Sequence, residues 1–159
     1  SGQKRITDSI KGTFPQVLMI GLGESKKIDS EKIRRAAAIA VKEAENNKLG
    51  SITYWLSKNY GFDASLFGQA LAEGAVMGSY RLDDFTKRTG DLKKVTFHTS
   101  EIIKRGAKRG IAIGNGNCLA RRLQDPPANK MRPRDLVREA RKIAKNSVSI
   151  SVKVLMKAP

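Results

Sequence analysis

Residues 63–80 place Ala64, Phe67, Ala70, Leu71, Gly74 and Ala75 at helical spacing, yet the same stretch holds Gly68, Gly74 and Gly78. Each glycine costs an isolated helix about 1 kcal/mol against alanine. A helix of this composition needs close packing against a neighbour to offset that cost. Residues 100–123 read as a longer helix that also carries glycines, at positions 106, 110, 114 and 116. The chain has 159 residues, and a domain near that size buries roughly 70% of its unfolded surface, enough to enclose helices of this kind in a core.

The remaining segments alternate strands with helices. Gln16-Val-Leu-Met-Ile20 is a short apolar run that ends in Gly21-Leu-Gly23 and reads as a buried strand with a tight turn. Asp29 or Ser30 is placed to cap a helix over residues 30–46, with Ile33, Ala36, Ala37, Ala40, Val41 and Ala44 on its apolar stripe. Ser51-Ile-Thr-Tyr-Trp-Leu56 and Lys94-Val-Thr-Phe-His-Thr99 are rich in aromatic and β-branched residues and read as strands. Asp125-Pro126-Pro127 stops the long helix, Pro133 opens another over 133–145, and Ser147-Val-Ser-Ile-Ser-Val-Lys-Val154 alternates as a final strand. The pattern is α/β, with helices on the faces of a sheet. The expected division is a domain over residues 1–120 and a linker helix with a following strand over 121–159.

Basic residues number 31 against 15 acidic ones, a net charge of +16. Residues 1–100 hold 16 basic and 11 acidic groups, whereas residues 101–159 hold 15 and 4, so the excess lies in the last third. It is clustered at Lys104, Arg105, Lys108 and Arg109, then Arg121, Arg122, Arg132, Arg134, Arg138, Arg141 and Lys145. Arg134, Arg138, Arg141 and Lys145 are spaced four, three and four, which puts them on one helix face. A solvated basic face is the plain reading. A polyanion would relieve the mutual repulsion and release counterions, and arginine over lysine in 121–142 favours phosphate forks.

Several chemistries are excluded or weak. The single Cys118 rules out an internal disulfide framework and a multi-cysteine zinc site, and the single His98 leaves acid–base and zinc constellations hard to build. Gly21-x-Gly23 has Lys26 where a dinucleotide fingerprint needs its third glycine, and no Gly-Lys-Ser/Thr follows Gly114-Asn-Gly116. Asp83, Asp84 and Asp91 have no partner at ligand spacing and read as turn and cap residues. No catalytic residue is assigned. No apolar run approaches the 18 residues of a membrane span, and no apolar stretch follows Ser1-Gly2-Gln3-Lys4-Arg5 to make a secretory signal. The lone cysteine fits a reducing compartment, either cytoplasm or an organelle matrix such as the mitochondrion.

The order of short motifs resembles the leucyl aminopeptidase (cytosol aminopeptidase) family. Val17-Leu-Met-Ile-Gly-Leu-Gly23 is similar to the strand and turn of that family's N-terminal domain, and Arg35-Ala-Ala37 falls in its next helix. Glu73-Gly-Ala-Val-Met-Gly-Ser-Tyr80-Arg-Leu82-Asp-Asp-Phe85 is similar to a family helix end, with Leu82 and Phe85 at aromatic positions. The most specific match is Ala120-Arg121-Arg122-Leu123-Gln-Asp125-Pro-Pro127-Ala-Asn129-Lys-Met-Arg132-Pro133, which resembles the family linker. Arg122, Asp125 and Arg132 stand where the family has Asp, Asn and Thr.

The resemblance implies a macro-domain-like mixed sheet flanked by helices, then a linker helix and the first strand of a second domain. It also implies two divalent metals, zinc or manganese, held by a C-terminal domain whose motifs do not occur here. No metal ligand or cofactor is therefore assigned to this chain. Two functions follow. One is a non-catalytic, basic scaffold that binds RNA, alongside other proteins, within an assembly such as an organellar ribosome. The alternative is the N-terminal portion of a metal-dependent leucyl aminopeptidase.

Overall fold

A computed structural model describes residues 3–8, 16–55, 62–81 and 92–155. In chain order the elements are β1 (Lys4–Asp8), β2 (Gln16–Ile20), α1 (Ser30–Asn46), β3 (Ser51–Trp55), α2 (Ala64–Gly78), β4 (Lys94–His98), α3 (Glu101–Gln124) and α4 (Pro133–Lys145). The chain divides into two compact units, Ser1–Cys118 and Leu119–Pro159, with the boundary inside α3.

In the first unit β1 pairs antiparallel with β2, from Lys4 opposite Ile20 to Asp8 opposite Gln16. Strands β3 and β4 run parallel, from Ser51 beside Lys94 to Trp55 beside His98. Alternation along β3 turns Ile52 and Tyr54 inward, where with Val95 and Phe97 they cover the core formed by α1 and α2. Tyr54 stacks on Phe97 with ring centroids 5.2 Å apart, and its hydroxyl donates to the Ala37 carbonyl of α1 at 2.7 Å. Burial pushes the Tyr54 phenol above its ordinary pKa. The core proper is Ile33, Ala37 and Val41 of α1 against Phe67, Ala70, Leu71 and Ala75 of α2. Asp29 starts α1 and Asp63 starts α2 in the same way, each carboxylate accepting an N–H from the first turn, Lys32 at 2.8 Å and Leu66 at 2.7 Å.

Helix α2 is buried on more than one side, because glycines let its neighbours approach to backbone contact. A Cβ at Gly74 would lie 2.8 Å from the Arg34 carbonyl carbon of α1, and one at Gly78 would lie 2.7 Å from the Ala38 Cα. On the α3 side, Gly106 and Gly110 meet the backbones of Ser65 and Gln69, and Gly68 meets that of Ile103. This is the close packing that the composition of 63–80 requires. The buried Glu73 is matched there by Arg34, whose Nη2 donates to Oε2 at 3.3 Å while Nε lies 3.1 Å from Oε1, out of hydrogen-bond alignment. Burial opposes the Arg34 charge, but bonds to Glu73 and Glu31 outweigh it and hold the guanidinium above its ordinary pKa.

Three sequence expectations change. Strand β2 is not buried: Val17 and Met19 are 40% and 51% exposed, because among the described residues only β1 pairs with it. Strand β1 is an addition, since its one apolar residue, Ile6, gives no readable alternation. Residues 147–154 do not form the final strand. Val148 and Ser149 sit in a turn and residues 150–155 have no regular structure. Alternation supplies only the side chains of a strand; its backbone also needs a pairing partner, and no described residue pairs with it. Asp83, Asp84 and Asp91 lie outside the described residues, as do the ends of two motifs, Leu56 and Leu82 to Phe85.

Gly74→Ala should destabilise the first unit by about 2–3 kcal/mol in denaturant unfolding, because the Arg34 backbone has to move. Gly116→Ala, with nothing within 4 Å of the added carbon, should instead stabilise it by about 0.5–1 kcal/mol.

Candidate functional site

Every basic residue singled out in the sequence is exposed: Lys104, Arg105, Lys108 and Arg109 on α3, Arg121 and Arg122 in its last turn, Arg132 before α4, and Arg134, Arg138, Arg141 and Lys145 on α4. They belong to two units. Lys104 to Arg109 belong to the first unit, where Lys104 pairs with Glu101 one turn earlier. Arg121 and Arg122 follow the unit boundary and suit the negative end of the α3 dipole.

Helix α4 assembles the rest. Pro133 starts it, with a preset φ and no N–H to leave unpaired. The Asp135 carboxylate accepts the Arg132 N–H at 3.1 Å, and the Asp135 N–H donates to the Arg132 carbonyl at 2.8 Å. The Arg132 guanidinium turns back to the Asn129 carbonyl at 3.3 Å. At about 100° per residue, Arg134, Arg138, Arg141 and Lys145 fall within an arc of roughly 60°. Pro133, Val137, Ala140, Ala144, Leu136 and Ile143 fall on another arc, and no residue of α4 is buried. Leu136 and Ile143 are 44% and 39% exposed.

The basic arc forms one wall of an open groove of about 740 Å³, with Pro133, Val137, Val154 and Leu155 also lining it. Lys142, four residues after Arg138, joins this lining. No lining residue is acidic. The carboxylates of α4 flank the arc: Asp135 pairs with Arg138 at 2.8 Å and Glu139 with Lys142 at 2.6 Å. The backbone bond from Arg132 chiefly, then the charge of Arg138, holds Asp135 below the usual carboxylate range; the Lys142 bond does the same for Glu139. Arg134, Arg141 and Lys145 have no ion pair among the described residues.

Other reactive side chains do not converge. His98 stacks on the exposed Trp55 with ring centres 4.4 Å apart. Cys118 is half-buried, its thiol donating to the Val76 carbonyl at 3.7 Å. A small cavity of about 240 Å³ lies where β2 meets α1, but Asp29 already caps the helix there and Arg35 is engaged by Glu31. Among the described residues no three His, Cys, Asp or Glu side chains gather as metal ligands, and no helix is long and apolar enough to cross a membrane. The divalent metals implied by the resemblance find no fitting donor set among the described residues.

Residues 1–89 match the model of the cytosol aminopeptidase family, N-terminal domain. The chain belongs to the cytosol aminopeptidase family. The "Probable cytosol aminopeptidase" of Aquifex aeolicus is 32% identical over 133 residues, covering 80% of this chain and 26% of that protein. The cytosol aminopeptidase of Bos taurus is 30% identical over 162 aligned positions, covering 96% of this chain and 29% of its own. Among solved structures, the bottromycin maturation enzyme BotP in complex with Mn superposes with a TM-score of 0.80 at 30% identity, over 91% of this chain and 30% of that one. A mutant of tomato leucine aminopeptidase gives 0.76 at 26% identity, over 92% and 30%. The chain thus spans about 30% of the length of these family members.

The lowered pKa of Asp135 has a definite sign for α4. Its contribution is complete above the ordinary aspartate pKa and is lost as pH falls through the depressed folded value. Far-UV circular dichroism should show α4 losing helicity in that acid window, and Asp135→Asn should shrink the step to the part carried by Glu139.

Proposed function

We propose that the chain is the N-terminal portion of a metal-dependent aminopeptidase that removes N-terminal residues from peptides, and that its own residues build scaffold rather than reaction chemistry. The family match over residues 1–89 carries this reading. One feature of the chain agrees with it. The second unit exposes apolar side chains that a further domain would cover: Leu136 and Ile143 on α4, then Val148 and Ile150. Burying one such side chain contributes about 1.5–3 kcal/mol.

In this division of labour the metals belong to the rest of the protein. Bound there, they would supply Lewis-acid chemistry. The first unit holds a core of α1 and α2, and 119–155 present an amphipathic helix with an alternating apolar tail. The charge-based reading, an RNA-binding scaffold of a larger assembly, is the weaker of the two: the exposure of its basic residues favours it, but the family match does not call for it.

Expressed as its whole reading frame, the protein should hydrolyse leucine p-nitroanilide when Mn²⁺ or Zn²⁺ is supplied, and residues 1–159 alone should not. Absence of metal-dependent hydrolysis from the whole reading frame would sink the proposal.

A further inference from the structure

The basic arc of α4 has no role in the aminopeptidase reading. We propose that it binds the phosphodiester backbone of a single nucleic-acid strand through Arg134, Arg138, Arg141, Lys142 and Lys145. All five line one open groove with no acidic residue among its walls. Three of the five are arginines, whose planar forks match phosphate oxygens. From Arg134 to Lys145 the helix rises about 16 Å, enough for about five phosphates at roughly 3.4 Å of axis per nucleotide of one strand.

The neighbouring carboxylates do not compete strongly. Asp135 and Glu139 each hold one cation, Arg138 and Lys142, whose side chains are 63% and 62% exposed. Solvent screens such pairs, so a phosphate exchanges for the carboxylate at little cost. Arg134, Arg141 and Lys145 have no such pair to give up among the described residues. Val154 and Leu155 add an apolar wall that suits an unstacked base, which an acidic polypeptide would not supply. The chain's net charge of +16 steers any polyanion toward it, but the groove is what localises the contact.

The test is fluorescence anisotropy of the full chain with a labelled 20-nucleotide oligouridine, and with the equivalent DNA, across a salt series. Binding of either strand should weaken with a log–log salt slope of about −3, as four or five contacts on a single strand require. Arg138→Gln with Arg141→Gln should lower affinity by about 10- to 100-fold and make the slope shallower by about 1.4. Arg105→Gln with Arg109→Gln on α3 removes the same charge and should lower affinity less than about threefold. Circular dichroism of both variants checks that the helices persist; should the α4 pair lose helicity, Arg134→Lys with Arg141→Lys takes its place, with an expected loss of about fivefold as the forks disappear. Equal losses from the α3 and α4 pairs would reduce the effect to net charge and overturn the proposal. So would an unchanged affinity in the α4 pair, or polyglutamate competing as well as RNA at equal charge.

Discussion

The first unit depends on backbone-to-backbone contact around α2. Gly74 and Gly78 admit α1, while Gly68 admits α3 and Gly106 and Gly110 receive the backbone of α2 in return. The contact between α2 and α3 thus draws glycines from both helices, whereas that between α1 and α2 draws them from α2 alone. This contact sets where α1 lies, and α1 sets the strands: Tyr54 reaches the Ala37 carbonyl only with α1 at this depth. The stacked Tyr54 and Phe97 rings and the inward Ile52 and Val95 then close the layer. A wider spacing of α1 and α2 would open the core around Ile33 and Val41, the largest fully buried side chains. It would also separate Arg34 from Glu73, leaving a carboxylate that is 8% exposed without its cation. Breaking such a buried pair costs about 3–5 kcal/mol, comparable to much of a small domain's stability.

The second unit has a different source of order. It has no buried side chain on α4, and local bonds define the helix: Pro133 at its start, Asp135 bonded to Arg132, and one-turn ion pairs on its surface. Exposed pairs of this kind contribute about 0–1 kcal/mol each. Isolated helices of 13 residues are marginal in water, so most of what would stabilise α4 has to come from what its faces touch. Its alternating tail shows the same dependence. Val148, Ile150, Val152 and Val154 have the pattern of a strand and lack the edge that would make them one.

Legibility followed the range of the interactions. Helices α1, α2, α3 and α4 were readable to within two residues, because caps, prolines and apolar spacing act over one or two turns. Strand β1 was not readable, since Lys4-Arg5-Ile6-Thr7-Asp8 becomes a strand only through β2, across residues distant in sequence. The glycines announced a tight helix contact, but not that α2 would be enclosed by two partners. On α4 the four-three-four spacing was enough to align Arg134, Arg138, Arg141 and Lys145. The contribution of Val154 and Leu155 to the same groove depends on a chain reversal that no local pattern encodes. Family membership was legible from the stretch 120–133, whose residues are hardly buried. Its Asn and Pro positions reflect the path of a linker rather than core packing.

The two faces of α4 clarify how charge and family membership coexist. Composition alone sets the basic excess against the family resemblance, as though the chain must be either a polyanion binder or part of an enzyme. The helix separates those demands by angle. Its apolar arc, with Leu136 and Ile143, offers the surface that further parts of a longer relative would cover, and its basic arc lies outside that surface. Asp135 and Glu139 sit on the flank between, each holding a single cation. Substitutions that added arginine to the basic arc would therefore leave the packing arc unchanged. A charged surface can arise in this way on a linker helix without altering the glycine-dependent contacts that determine the domain before it.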